Sequence, residues 1–129
     1  MSAVLSAPAR TLAAAKLHVP TATLEPWPLP PELVIAGHPE AQGCVLSASA
    51  DGRIVRGIWA CTPGSFRWDW TSDEMVTVIL GRARVQLSDG RVIDLMPGDM
   101  GFFEAGLSST WTILEPFRKS FHTLAAARA

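Results

Sequence analysis

The sequence predicts an all-β fold, a single antiparallel sandwich or barrel that follows an extended, proline-rich N-terminal arm. From residue 32 onward, apolar and polar residues alternate with a period of two, which is the side-chain period of a β-strand. The alternating segments are short, and glycine-containing turns separate them at regular spacing, with almost no helical periodicity. Many short strands joined by such turns are typical of an antiparallel sandwich or barrel.

The composition narrows the class of protein. A chain of 129 residues with 48% hydrophobic and 18% charged residues is sufficient for one packed domain without metal or disulfide crosslinks. Its formal net charge of −1 argues against nucleic acid as the main partner, since phosphate binding requires a concentrated basic surface. No apolar run approaches the ~20 residues that cross a bilayer, so we expect no membrane partner. Without a clear secretion signal, we expect a cytoplasmic protein in which Cys44 and Cys61 are buried free thiols.

Two units are expected along the chain: an N-terminal extension and arm at residues 1–31, and the β domain at residues 32–129. Five prolines between Pro20 and Pro31 remove amide donors and fix φ, so we expect this arm to be extended and unpaired. Trp27 lies within the arm, where we expect it to clamp the arm onto the barrel or onto a second subunit.

The predicted strands of the domain follow one another closely. In chain order they are Leu33–Ala36, Cys44–Ala48, Ile54–Cys61, Met75–Leu80, Ala83–Leu87, Arg91–Leu95, Gly101–Glu104, Thr110–Leu114 and Lys119–Leu124. Asp51-Gly52 and Asp89-Gly90 are tight hairpin signals, because glycine accepts the positive φ that short hairpin turns require. Pro97-Gly98-Asp99 predicts a third turn.

Two groups of residues in this domain match, in order, the motifs of a known family. Glu74-x6-Gly81 corresponds to the end of the first cupin motif, and Gly98 and Gly106 correspond to glycines of the second. Further matches run through the domain: Gly57–Gly64, Trp68-x-Trp70, Pro97–Asp99, Thr110-Trp111 and Arg118-Lys119. These resemble the small single-domain cupins grouped with the (S)-ureidoglycine aminohydrolase cupin domain and the ethanolamine-utilisation cupin. The resemblance covers residues 32–124 and implies a jelly-roll barrel.

The metal ligands of the family motif are mostly missing. A cupin metal site needs several imidazoles and a carboxylate from neighbouring strands, and of this set only Glu74 is present. The two adjacent histidine positions hold Trp68 and Trp70 by the shorter motif spacing, or Arg67 and Asp69 by the longer one. Ser109 stands at the third histidine position, and the chain's histidines lie outside the motifs: His18, His38 and His122. We therefore expect no tightly bound metal and no other cofactor.

Glu74 and Lys119 are the two candidate catalytic or binding residues. Glu74 begins an apolar strand and shares its parity with Val78 and Leu80, so we expect its side chain to face the core. Lys119 lies in the last strand and, turned inward, would pair with Glu74 as an acid/base couple or as an anchor for a ligand. Arg118 would then face solvent. The alternative is a rim carboxylate and an exposed edge lysine.

Five further residues are candidates for the lining of a ligand site. Trp68, Trp70 and Trp111 are expected as aromatic walls, and Arg67 and Ser109 as polar groups beside Glu74 and Lys119. The alternative for the tryptophans is that their indole rings fill the core.

We interpret the chain as a metal-independent, small-molecule-binding cupin that forms a homodimer. One alternative is an enzyme of nitrogen or amide metabolism similar to (S)-ureidoglycine aminohydrolase, and whether the chain is an enzyme is left open. A further alternative is a structural or regulatory dimer. The resemblance of fold does not by itself confer the chemistry.

Overall fold

The computed structural model describes residues 12–125, and these form one curled antiparallel sheet. The strands are β1 Glu25–Pro26, β2 Val34–Gly37, β3 Ala41–Ala48, β4 Ile54–Cys61, β5 Gly64–Asp69, β6 Ser72–Leu87, β7 Val92–Leu95, β8 Met100–Phe103 and β9 Ser108–Ala125. One short 3₁₀ helix, Pro31–Leu33, precedes β2. The all-β class is confirmed. Over residues 12–125, the structure contains no helix that is long and apolar enough to cross a membrane.

The long strands β6 and β9 organise the sheet. They pair with each other along nearly their whole length, from Ser72 opposite Ala125 to Leu87 opposite Ser109. The other edge of β9 pairs with β4 at its C-terminal half and with β5 at its N-terminal half. Strands β3 and β1 extend the sheet beyond β4, β2 extends it beyond β5, and β7 and β8 pair with β6. One sheet therefore curls around a single interior.

The predicted turns are present, and β4 has the predicted bounds. Gly52 and Gly90 adopt positive φ at the two hairpin turns, and Gly98 does so in the third turn. Four of the predicted strands are halves of β6 and β9, and β5 has no counterpart among the predicted strands. The register of β6 against β9 shifts between Val78 and Ala83, and this irregularity separates the two halves of each strand in the sequence pattern.

The bend in β6 lies at Gly81, which has a φ of 79°. A β-carbon at this position would overlap the backbone carbonyl of Pro116 on β9, so no other residue allows the two strands to approach so closely. The register shifts around the bend reverse the side-chain parity of the strand. Val78 is therefore buried before the bend, and Leu80 is 54% exposed. The prediction that Leu80 faces the core is wrong for this reason.

The core is aromatic at its centre. Trp111 on β9 has Phe66, Phe103 and Phe117 around it, each with its ring centroid between 6.1 and 6.2 Å away. All four side chains are at most 2% exposed. Edge-to-face and tilted packing of such rings adds to the free energy gained from burying their area. This cluster fixes the strands that carry the site.

The N-terminal arm packs along the sheet over part of its length. Contrary to the expectation of an unpaired arm, Glu25–Pro26 forms β1 and pairs with β3, and the Trp27 amide donates to the carbonyl of Ala41. Arg118, expected to face solvent, donates from Nη1 to the carbonyls of Val19 and Ala22 at 2.8 and 3.2 Å. This guanidinium ties the arm to the barrel, because it donates to two backbone carbonyls of the arm.

Candidate functional site

A cavity of about 480 Å³ lies between the arm and the inner surface of strands β4, β5, β6 and β9. This volume is within the range of about 300–1,000 Å³ that is usual for small-molecule sites. The arm supplies Pro26, Trp27, Pro28, Leu29 and Pro30, and the strands supply Trp59, Phe66, Trp68, Glu74, Trp111, Lys119, Phe121 and Thr123. The lining is thus mainly aromatic and apolar, with one carboxylate and one ammonium.

Glu74 and Lys119 form a buried ion pair in this lining. The Lys119 Nζ donates to Glu74 Oε2 at 2.8 Å, and the two residues are only 6% and 8% exposed. Lys119 lies opposite Val78 in the β6–β9 register, whereas Glu74 lies opposite Thr123. The long lysine side chain therefore runs along the inner face of the sheet to reach the carboxylate. The pairing that strand parity predicts is present.

Trp70 holds the second oxygen of the carboxylate. Its indole Nε1 donates to Glu74 Oε1 at 2.9 Å, so each oxygen of Glu74 accepts one hydrogen bond from a buried donor. The Trp70 ring stacks on Phe103 with 4.4 Å between ring centroids and an interplanar angle of 5°. Because this stacking fixes the indole, Trp70 orients the Glu74 carboxylate. Trp70 itself is buried and is not among the residues that line the cavity. The expectation that Trp70 is a cavity wall is corrected accordingly.

Two tryptophans stabilise the charge on Lys119. Its Nζ lies 4.9 Å from the ring centroid of Trp59 and 4.9 Å from that of Trp111. The negative faces of the indoles attract a cation, and this attraction is strongest where water is excluded. The ammonium is therefore held by one carboxylate and two ring faces. The indole N–H of Trp111 is itself buried, and among the described residues it has no hydrogen-bond acceptor.

The remaining predicted site residues divide between the cavity and other positions. Trp68 and Trp111 line the cavity, and Trp68 is 36% exposed. Arg67 alternates with Trp68 on β5 and is exposed, so it does not belong to the lining. The Ser109 hydroxyl is buried and donates to the carbonyl of Trp68 at 2.8 Å, so it links β9 to β5 by a side-chain hydrogen bond. Neither Arg67 nor Ser109 is available to a molecule in the cavity.

Some lining residues were not among the sequence candidates. Phe121 and Thr123 share the side-chain parity of Lys119 on β9, and Trp59, whose indole ring was expected either as a wall or in the core, lies directly opposite Lys119 in the β4–β9 register. The parity of β9 was therefore a sufficient signal for Phe121 and Thr123. Trp27 was expected to clamp the arm onto the barrel or onto a second subunit, and its ring lies 6.1 Å from that of Phe121 on β9, so it packs the arm against the barrel.

The residues present do not fit the metal that the cupin fold implies. Both Glu74 oxygens already accept hydrogen bonds, and one of the donors is a cation. The three histidines lie on the surface, each exposed to solvent: His18, His38 and His122. Within residues 12–125 no three His, Cys, Asp or Glu side chains come close enough to hold a metal ion. The donor set around Glu74 is suited to an ammonium instead of a metal.

Cys61 lies near the pair, but its thiol is not activated as a nucleophile. Its side chain is buried in the core, and this burial raises the pKa of the thiol to about 12, while the charge of Lys119 acts in the opposite direction. The thiol therefore stays protonated at neutral pH and is a poor nucleophile. Cys44 is only half-buried, which differs from the expectation, and both cysteines are free as expected.

Comparison with known proteins identifies the family. The sequence model described as the EutQ-like cupin domain matches residues 48–121. A crystal structure of a protein of unknown function from Pseudomonas syringae pv. tomato superimposes with a TM-score of 0.72 and 25% identity, covering 79% of this chain and 44% of that protein. The chain thus spans less than half the length of the Pseudomonas protein. No protein of curated function matches the sequence.

Two other solved structures show the same fold. An ethanolamine utilization protein from Salmonella typhimurium is 21% identical, with a TM-score of 0.60 and coverage of 68% of this chain and 72% of that one. A Thermotoga maritima protein of the same family of unknown function as the Pseudomonas protein is 30% identical, with a TM-score of 0.51 over 52% of this chain and 76% of that one.

Proposed function

The chain belongs to the EutQ-like cupin family, and we propose that it binds a small organic molecule in its aromatic cavity without a metal ion. The observation that supports this most strongly is the buried Glu74–Lys119 pair, which lies in the wall of an open cavity instead of a closed core. An ion pair in apolar surroundings is often no more stable than a hydrophobic replacement of the same volume. A binding role explains why this chain has such a pair at this place.

The pair retains unused hydrogen-bonding capacity. An ammonium has three N–H donors, and Lys119 uses one of them on Glu74. A carboxylate has about four acceptor positions, and Glu74 uses two of them on Trp70 and Lys119. A few convergent polar groups in an apolar lining are the usual arrangement of a ligand site.

Lys119 supplies the positive charge beside Glu74 that a bound metal ion supplies in a metal-binding cupin. Its charge lies 2.8 Å from the Glu74 carboxylate and is supported by the faces of Trp59 and Trp111. The ammonium is charged and hydrogen-bonding but has no vacant coordination position, so it can orient a ligand and polarise a carbonyl only weakly. This favours binding over metal-assisted hydrolysis.

An enzyme of nitrogen or amide metabolism, as in (S)-ureidoglycine aminohydrolase, is the second candidate. The observation in its favour is that Glu74 and Lys119 share a hydrogen bond and both line the cavity, which is the arrangement of an acid/base couple. Turnover of a bound compound, followed by mass spectrometry of the incubation mixture, separates an enzyme from a binding protein.

We further propose that the domain is a homodimer in the cytoplasm that binds neither nucleic acid nor membrane. Support for the dimer comes from an apolar strip on the outer face of the sheet, where Met75 pairs with Phe102 across β6 and β8, and Met100 lies next to them. These side chains are 41%, 57% and 71% exposed, respectively. Exposed apolar patches of this kind are typical of protein interfaces. Light scattering that gives a monomer mass at high micromolar concentration would contradict the dimer.

The binding proposal is tested by a thermal-shift screen of small carboxylates, ureides, amino acids and neutral aromatic amides. A compound that binds only the folded protein raises the melting temperature in proportion to the logarithm of its concentration over its dissociation constant. The same compounds are measured on Glu74→Gln/Lys119→Met and on the surface control Arg84→Met/Asp94→Asn, whose native ion pair has the same 2.8 Å separation. We expect shifts that the control retains and the cavity variant loses. Absence of any saturable shift would contradict binding.

A further inference from the structure

We infer that the ligand is an uncharged, flat molecule with a hydrogen-bond acceptor beside a donor on one edge, as in an amide group. This inference rests on the proposed binding function and goes beyond it by naming the chemical class. It follows from three properties of the cavity: its charge balance, its unused donors and acceptors, and a free aromatic face.

The charges of the lining already cancel. Among the lining residues, Glu74 and Lys119 are the ionisable ones, and they form a pair with each other. A carboxylate or an ammonium entering this space would therefore lack a counter-charge of its own and would lose its hydration in an apolar site. A neutral molecule has no such penalty. The balance of charge favours an uncharged ligand.

The unused hydrogen-bonding groups fix what the edge of the ligand must contain. Lys119 has two free N–H donors, and Glu74 Oε2 has room for a further donor. Because the ammonium and the carboxylate are only 2.8 Å apart, an acceptor for the first and a donor for the second must be neighbours on the ligand. An amide carbonyl and its N–H meet this requirement.

The shape of the body follows from the aromatic walls. Trp27, Trp59, Trp70 and Trp111 each contact another aromatic ring. Trp68 makes no such ring contact within residues 12–125, although it lines the cavity and is about one-third exposed. An unstacked indole face beside an apolar cavity is suited to a flat ring, because offset stacking of two rings contributes beyond the buried area. The ligand thus combines a planar body with an amide-like edge.

Three probes of nearly equal shape test the inference: benzamide, benzoate and benzylammonium. Each is titrated into the ¹⁵N-labelled chain of 129 residues, and binding is followed by the indole N–H signals of the five tryptophans. We expect benzamide to shift the signals of Trp59, Trp68 and Trp111, and to bind on the order of tenfold more tightly than either charged probe. Trp68→Ala, which replaces a partly exposed side chain, should weaken benzamide roughly five- to tenfold with the other indole signals retained.

The variants separate failure of this inference from failure of the binding proposal. Glu74→Gln/Lys119→Met should weaken benzamide more than it weakens the charged probes, and Arg84→Met/Asp94→Asn should change nothing. If benzoate or benzylammonium binds as tightly as benzamide, the class is wrong while cavity binding stands. If no probe binds, the class is also wrong, and the broad thermal-shift screen then decides whether the cavity binds any ligand.

Discussion

Lys119 Nζ lies 2.8 Å from Glu74 Oε2, although the two residues are displaced from each other along the β6–β9 register. Lys119 lies opposite Val78, and Glu74 lies opposite Thr123, so the aliphatic part of the lysine spans this displacement inside the barrel. The pair is thus formed by side-chain length and the inward parity of two neighbouring strands. Removing either partner leaves a charge in an apolar space.

The first prediction concerns the stability of this pair. Glu74→Gln or Lys119→Met alone should lower the free energy of unfolding by about 3 kcal/mol or more, because each leaves its partner buried and unpaired. The double variant should recover part of that loss, which gives a clear coupling term in a denaturation cycle.

The exposed pair Arg84–Asp94 is the matched control for that cycle. Its Nε–Oδ1 distance is also 2.8 Å, but its side chains are 54% and 62% exposed. Single substitutions there should change stability far less than those in the buried pair, because solvent screens the exposed charges, and their effects should add. If the substitutions lowered the free energy of unfolding equally in the two cycles, burial would contribute nothing to the Glu74–Lys119 pair.

The second prediction concerns metal content. Protein purified without an affinity tag should contain less than one Mn, Fe, Ni or Zn per chain, because the Glu74 oxygens are occupied by Trp70 and Lys119 and the histidines are on the surface. Elemental analysis measures this directly, and treatment with a chelator should leave the melting temperature unchanged. One metal per chain, together with a lower melting temperature after chelation, would refute the ammonium interpretation.

Sequence parity placed Glu74 and Lys119 on inward faces but left a rim carboxylate and an exposed edge lysine as the alternative. The structure decides between them, because both side chains are buried and hydrogen-bonded to each other. The outward orientation of Leu80 could not be predicted from the sequence, since the bend at Gly81 depends on the contact with Pro116 of another strand. Arg118 was likewise beyond prediction, because its partners are carbonyls of an arm without periodicity. The alternation of apolar and polar residues predicts side-chain orientation within a strand. The bend in a strand and the packing of the N-terminal arm depend on tertiary contacts that this alternation does not contain.

The third prediction tests whether the arm is a wall of the binding site. A β-carbon at Gly43 would overlap the Trp27 ring, although the backbone of Gly43 has no positive φ. Gly43→Ala should therefore displace Trp27 while the strand persists, with a stability loss of roughly 1–3 kcal/mol from overpacking. Ligand affinity should fall, and the Trp27 indole signal should move in an NMR spectrum.

Gly101→Ala is the control for that substitution. Gly101 also lies in a strand without positive φ, and the nearest atom to an added β-carbon is 3.2 Å away. This variant should bind the same ligands with unchanged affinity. If Gly43→Ala leaves both affinity and the Trp27 signal unchanged, the arm is not part of the site.

The fourth prediction concerns the two thiols. Because burial raises the pKa of Cys61 to about 12, its thiolate is scarce at pH 8, and iodoacetamide should not label it in the folded protein. Cys44 is partly exposed and should react faster. Peptide mass spectrometry after timed labelling distinguishes the two, and labelling in denaturant should make them similar. Rapid labelling of Cys61 under native conditions would show that the core around Lys119 is open to reagents.

The most direct test of a metal-free, pair-dependent binding site is calorimetric titration of the best compound from the thermal-shift screen. Native protein treated with chelator and Glu74→Gln/Lys119→Met are compared in the same buffer, with Arg84→Met/Asp94→Asn as the control. We expect chelator-treated native protein and the surface control to bind equally, and the cavity variant to bind at least about tenfold more weakly. Equal affinity for the cavity variant, or loss of binding after chelation, would show that the site does not depend on the pair or that it requires a metal.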